Sequence, residues 1–264
     1  MSYRFEKATA EDVAALRQDC LRQLTAPLDG MWESFVSMAD DYVICRKGKI
    51  IGHCSVDAAQ KILQFHTPEV PDPHASFHQA LTTLDITGAV AATCDPHFLS
   101  LCLDHQQSVS VNALMYHLTE TTVIEPVTFP PNMDFRAVGF SELETALAFG
   151  TETLRADRNW LTSYFTERIE GGELFGLWQN KQLIATGECR PSKTQKAYTD
   201  LGMMVAENQR GKGLATRILR RLLHLSRKRG LIPICSTESG NIAAQKAIIR
   251  SGFTSYHRIL DITF

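Results

Sequence analysis

The sequence predicts an α/β fold made of two tandem copies of one unit, and three observations predict it. First, the chain has 264 residues, 44% hydrophobic and 21% charged, a globular composition long enough to bury one large or two modest cores. Second, Glu125-Pro126-Val127-Thr128-Phe129-Pro130-Pro131-Asn132 lies near the middle. Each proline lacks an N–H and disfavours helix in the residue before it, so 126–132 is expected to be an extended linker. Third, the flanks 1–125 and 133–264 repeat the same order of elements.

The first half opens with a strand pattern at 3–7. An amphipathic helix follows, with Val13, Leu16, Cys20 and Leu24 at helical spacing. A hairpin occupies 42–45 and 50–52 around a turn at 46–49, and another strand covers 62–66. A helix over 96–105 leads into a β-rich end at 109–118. The second half opens with a strand at 133–136, then a helix through Leu143, Ala146, Leu147 and Gly150 and another over 160–169. Its hairpin is 174–178 and 183–185 around a turn at 179–182. A helix over 242–250 leads into a β-rich end at 253–264.

The net charge of -2 hides an asymmetry. Residues 1–132 carry 8 basic and 16 acidic side chains, a net of -8, and residues 133–264 carry 19 and 13, a net of +6. A polyanionic ligand on the basic side fits this balance, and a cationic second ligand fits the acidic side. No apolar stretch reaches the ~20 residues that a membrane helix needs. Charge also falls where a signal peptide would be apolar, in Arg4, Glu6 and Lys7. The seven cysteines form no C-x-x-C pair, as expected of reduced thiols in the cytoplasm.

The most informative stretch is 196–229. A strand at 197–205 is followed by the polar turn Ala206-Glu207-Asn208 and then Gln209-Arg210-Gly211-Lys212-Gly213-Leu214-Ala215-Thr216, which runs into a helix. Leu214, Ile218, Leu222 and Leu225 form its buried stripe, and Gly230 stops it. The first turn of a helix has N–H groups without intrahelical partners, and the dipole adds positive potential there. Gly211 and Gly213 keep Cβ atoms away from that end, and Arg210 and Lys212 add charge, so the segment reads as an anion trap. A nucleotide P-loop is excluded because Gly213 follows Gly211-Lys212 where Ser or Thr is needed. A dinucleotide fingerprint is excluded because Thr216 stands at its third glycine. Nucleic acid is not expected, since the basic run initiates an amphipathic helix instead of lying among interleaved aromatics.

Arg210-Gly211-Lys212-Gly213-Leu214-Ala215 resembles the acyl-CoA pyrophosphate loop of the GNAT N-acyltransferase superfamily, Q/R-x-x-G-x-G/A. Asn241-Ile242-Ala243-Ala244 and Ser251-Gly252-Phe253 resemble its later N-x-x-A and G-F segment. The resemblance spans about 133–264. It implies a mixed, mostly antiparallel sheet flanked by helices, and acetyl-CoA as the acyl donor. It further implies that the amides of Gln209, Arg210, Gly211, Lys212, Gly213, Leu214, Ala215 and Thr216 grip the pyrophosphate. The backbone of Met203, Met204 and Val205 would pair with the pantetheine arm and polarise the thioester, with Asn241 and Ala244 bordering its other side.

The first half lacks the trap. Thr67-Pro68-Glu69-Val70-Pro71-Asp72-Pro73 has no glycine, three prolines without N–H groups, and two carboxylates that repel phosphate. This half is expected to be a degenerate copy that does not bind acyl-CoA. It would serve as a packing platform that completes the substrate cleft or an oligomer interface, as in a homodimer.

The resemblance implies direct attack of a primary amine, small-molecule or peptide, on the thioester in a ternary complex. The candidate bases are Asp200, Glu188 and, after the strand near 231–236, Glu238. The family's usual acid, a Tyr seven residues after the Asn, is Ile248 here; Tyr256, Ser239 or water remains for that role. That departure keeps open a non-catalytic CoA-binding sensor or assembly protein. A peptide or protein N-terminal acetyltransferase is a further alternative. No metal is expected: His74 and His78 are four apart but have no third ligand at an evident spacing. Cys235 and His224 are expected to be packing residues. Trp160, Tyr164 and Phe165 fit an apolar core face better than a substrate cage.

Overall fold

The computed structural model describes residues 3–68, 70–119, 122–123 and 125–264. They fall into two compact units. Unit 1 takes the described residues up to Met115 together with Lys193–Gln195 and Ser255–Phe264. Unit 2 takes Tyr116–Ser192 and Lys196–Thr254. The units therefore differ from a plain division at 126–132, because strand pairing follows register and not chain order.

Unit 1 runs β1 (Arg4–Ala8), α1 (Ala14–Gln23), α2 (Gly30–Met38), β2 (Asp40–Arg46), β3 (Lys49–Val56), β4 (Lys61–His66), α3 (Pro73–Thr83), β5 (Gly88–Ala92), α4 (Pro96–Leu103) and most of β6 (Ser108–Leu118). Unit 2 runs β7 (Met133–Ala137), α5 (Leu143–Leu154), α6 (Arg158–Glu170), β8 (Leu174–Gln179), β9 (Gln182–Pro191), β10 (Tyr198–Val205), α7 (Leu214–Lys228), β11 (Ile232–Glu238) and α8 (Ile242–Arg250). The last strand, β12 (Phe253–Thr263), begins in unit 2, but from Ser255 onward it belongs to unit 1.

In unit 1 the strand order is β1-β2-β3-β4-β5-β12-β6. Pairs are antiparallel except β4 with β5, and β12 lies against β5 from Ile259↔Ala92 to Thr263↔Gly88. In unit 2 the order is β11-β10-β9-β8-β7, antiparallel except β10 with β11. Both units thus have the mixed, mostly antiparallel sheet that was expected. Two elements escaped the sequence reading. The strand β5 is Gly-Ala-Val-Ala-Ala, too small-sided to show a period, and α2 is a nine-residue helix started by Asp29, whose side chain accepts from Trp32 N.

Local chemistry sets the turns. Lys47 and Gly48 (φ 50° and 75°), and Asn180 and Lys181 (φ 50° and 68°), are paired left-handed residues. Two such residues in succession suit the twist of a tight hairpin. The linker 125–131 forms no helix or strand, and it lies along α7 in unit 2. Thr128 O accepts from Arg217 (3.3 Å), His224 Nε2 lies 3.1 Å from Glu125 O, and Phe129 stacks on Phe135.

Each unit has its own core. In unit 1, Phe77 packs edge-on against Phe65 and Phe98, and β12 adds Leu260 and Ile262 to the same cluster. In unit 2, α5 and α6 bury Leu147, Leu161 and Phe165 over Leu174. On the other face of that sheet, Gly187 lets α7 lie close, since a Cβ there would sit 2.8 Å from Ile218. His53 is fully buried in β3, and burial drives its pKa down to about 3 while the nearby Gln64 pulls the other way. Because the folded value is depressed, its stabilising effect is present above the unfolded pKa of ~6.5 and is lost as pH falls. Stability of unit 1, read by hydrogen exchange of the β3 amides, should fall by roughly 1 kcal/mol per pH unit between about pH 6 and 4. His53→Gln should flatten that slope, and an unchanged slope would assign it to other groups.

Candidate active site

After Val205 the chain passes through a short 3₁₀ turn, Glu207–Gln209, and the extended Arg210 before entering α7. Gly211 and Gly213 have φ of 78° and 74°. That left-handed region costs a side-chain-bearing residue ~1–2 kcal/mol. An added Cβ at either glycine would meet nothing within 4 Å, so open space lies before the loop. Gly213 is the N-cap residue of α7 and supplies no capping side chain. Among the described residues, the amides of Gly211, Lys212, Gly213, Leu214 and Ala215 donate to no protein acceptor. Lys212 Nζ donates to Gln209 Oε1 (2.8 Å) and Arg210 Nε to Val205 O (3.3 Å), which holds both cations beside these amides. Thr216 is half-buried in the first turn of the helix.

The sheet opens where the loop begins. The parallel register of β10 with β11 runs only from Tyr198↔Ile232 to Asp200↔Ile234. Beyond it Gly202, Met203, Met204 and Val205 are half-buried. In unit 1 the pairing of β4 with β5 also ends early, at Ile62↔Ala89, yet Leu63, Gln64, Phe65 and His66 are all buried. The helix after β4 differs as well. Asp72 Oδ1 accepts from Ala75 N (2.9 Å) at the start of α3, and Pro73 has no N–H to offer. A carboxylate of the chain itself thus occupies the place an anion would take. Glu69 lies outside the described residues.

Asp200 and Glu188 come together. Alternate residues of a strand share a face, so Glu188 and Arg190 project together from β9, and Asp200 stands directly across from Arg190 on β10. All three are buried. Arg190 pairs with Asp200 through Nη2 and lies 3.4 Å from Glu188 Oε2 through Nε. Tyr164 on α6 completes the group: its hydroxyl accepts from Arg190 Nη1 (2.8 Å) and donates to Glu188 Oε2 (2.5 Å). Burial, reinforced by the Glu188 charge, pushes the Tyr164 phenol far above its ordinary value, so it stays protonated. Trp160, half-exposed, stacks on Tyr164 with ring centres 5.0 Å apart. Sequence reasoning missed Arg190 and the polar role of Tyr164. The signal available was the i, i+2 spacing of Glu188 and Arg190 on one strand face.

Other expected residues lie elsewhere. Tyr256 is an exposed residue of β12 within unit 1, whereas Glu188 and Asp200 belong to unit 2. The side chain of Asn241 caps α8, accepting from Ala244 N (3.1 Å), which is a structural duty. Ile248 is buried in α8 and has no proton to give. Glu238 is exposed at the end of β11, while Ser239 O accepts from Gln245 (2.7 Å). Cys235 is buried. His74 pairs with Asp104 and His78 stacks on His105; no cluster of three metal-ligating side chains occurs among the described residues. No helix among them is long and apolar enough to cross a membrane.

A strand that parts from its parallel neighbour, followed by an uncapped glycine-rich helix start, defines an α/β acyl-carrier transferase. The comparisons give the family. An acetyltransferase (GNAT) domain profile matches residues 9–119, and an acetyltransferase (GNAT) family profile matches 140–253. A solved acetyltransferase of the GNAT family from Colwellia psychrerythraea is 33% identical over the whole of both chains, with a TM-score of 0.91. The chain belongs to the GNAT acetyltransferase family and carries two tandem GNAT units. Two more distant structures share the fold. A tandem GNAT protein from the clavulanic acid biosynthesis pathway has 16% identity and a TM-score of 0.73, over 100% of this chain and 98% of that one. A GCN5-related N-acetyltransferase from Sphaerobacter thermophilus has 12% identity and a TM-score of 0.71, over 99% and 95%. A search of curated proteins gives no match.

Arg190 neutralises two buried carboxylates at once. Arg190→Met should destabilise unit 2 by about 3–5 kcal/mol, the usual cost of leaving a buried charge unpaired. Denaturant unfolding checks this, and a loss below 1 kcal/mol would mean that water already reaches the cluster.

Proposed function

We propose that unit 2 transfers an acetyl group from acetyl-CoA to a primary amine by direct attack on the thioester, and that unit 1 binds no acyl-CoA. The observation that carries this reading is the run of unpartnered amides at Gly211–Ala215, facing open space at the end of a strand already parted from its neighbour. Those amides, with the dipole of α7, Arg210 and Lys212, suit a diphosphate. The half-buried backbone of Met203, Met204 and Val205 would receive the pantetheine arm. An amide there would stabilise the oxyanion as the amine attacks.

Glu188 is the base in this reading. It lies on β9 directly across from Gly202, just past the point where the strands part. The neutral amine attacks the carbonyl carbon, the C–S bond breaks, and the excess proton on nitrogen passes to Glu188. The thiolate is protonated by water, since Ile248 offers nothing. The acceptor is a small-molecule or peptide amine; the acidic first half would favour a cationic one. The setting is the cytoplasm, which the seven buried, unbridged cysteines support. A second reading, a CoA-binding sensor without turnover, is favoured by one observation, the buried Ile248 at the family's usual tyrosine position.

Calorimetric titration of the full chain with acetyl-CoA should give one site per chain, and two sites would overturn the inert first unit. Gly213→Glu should weaken binding at least 100-fold, because it adds left-handed strain and a carboxylate where phosphate sits. Unchanged affinity in that variant would sink the loop assignment. Thiol release over an amine panel then separates the readings: turnover supports the transferase, and tight binding with no turnover supports the sensor.

A further inference from the structure

We infer that Tyr164 and Arg190 are positioning residues that hold Glu188 ionised and aimed, and that Asp200 is the counter-ion of Arg190 and not a base. The inference rests on the transferase reading above and deepens it. It follows from hydrogen-bond bookkeeping at one hydroxyl. Arg190 can only donate, so Tyr164 Oη must accept from Nη1 and spend its single proton elsewhere. That proton goes to Glu188 Oε2 at 2.5 Å. The guanidinium Nε approaches the same oxygen at 3.4 Å. Both interactions fall on Oε2, so Oε1 is the oxygen that takes the proton from the amine.

The remaining edge of the guanidinium, Nη2, is spent on Asp200. For Asp200 to accept a proton it would have to give up this buried pair, whereas Glu188 can accept one on Oε1 with both Oε2 contacts kept. Packing fixes the arrangement. Trp160 stacks on the Tyr164 ring, and Arg168 lies over it at 5.4 Å. Gly202 has no positive φ to require glycine, yet it faces Glu188 across the strands and brings no side chain into that space. In unit 1 the strand pair that likewise follows the parting point is Ser55↔Gln64, where a full side chain fills the equivalent place.

The test compares Tyr164→Phe, Arg190→Lys, Asp200→Asn and Glu188→Gln in the full chain, by pH profile of kcat/KM and by carbon NMR titration of the Glu188 carboxyl. Removing a donor to the charged form raises a carboxyl pKa. Tyr164→Phe should therefore move the acid limb and the Glu188 titration to higher pH, and lower kcat/KM about 10–100-fold at neutral pH, with the deficit shrinking as pH rises. Its affinity for acetyl-CoA should not change. Arg190→Lys should shift the limb the same way by less, and Asp200→Asn should keep a limb that Glu188→Gln abolishes. A pH-independent loss in Tyr164→Phe with an unmoved Glu188 titration would reduce Tyr164 to a packing role and overturn the inference. So would a limb that vanishes with Asp200→Asn but survives Glu188→Gln. If the chain binds acetyl-CoA but acetylates no amine, the transferase reading fails on its own, and the NMR titration still decides whether Tyr164 and Arg190 set the charge of Glu188.

Discussion

The parallel pairing of β10 with β11 lasts three residues, and the rest of the site depends on its ending there. A parallel ladder that continued would satisfy the backbone of Met203–Val205 and seal the sheet. Because it stops at Asp200↔Ile234, the strand leads half-buried to a helix start whose amides have no protein acceptors. The carboxylate cluster stands at the same point, with Asp200 on the last paired residue of β10. Recognition of the carrier and placement of the base are therefore two consequences of one break in pairing.

The comparison of the two units shows that such a break is not sufficient. Unit 1 breaks its parallel pairing even earlier, but β4 is buried over its whole length past the break and α3 is capped by Asp72. The difference lies in which group satisfies the first helical turn. A side-chain carboxylate closes the end to anions, and a glycine in the left-handed region leaves it open. The same fold thus holds an open and a closed version of one feature within a single chain.

How far the sequence could be read follows from the range of each interaction. The loop at Arg210–Ala215 was legible because its determinants are local: two glycines, adjacent cations and an apolar helical stripe. The hairpins were legible for the same reason. The grouping of Glu188, Arg190 and Asp200 was only half legible, because the two carboxylates meet across a register that no local pattern states. Tyr164 was invisible as a polar partner, since its neighbours Leu161 and Phe165 mark that helix face as core. Tyr256 looked near the cleft in sequence, yet its strand belongs to the other unit.

The exchange of β12 has a consequence for biosynthesis. Ala92 finds its partner in Ile259. At ~5–20 residues per second, a ribosome needs on the order of ten to thirty seconds to make the intervening chain. Until then β5 emerges with one side unzipped and Leu260 and Ile262 missing from the surrounding cluster. Maturation of the first unit is therefore post-translational in its last step, and the nascent chain must shield a bare strand border from its neighbours on the polysome while it waits.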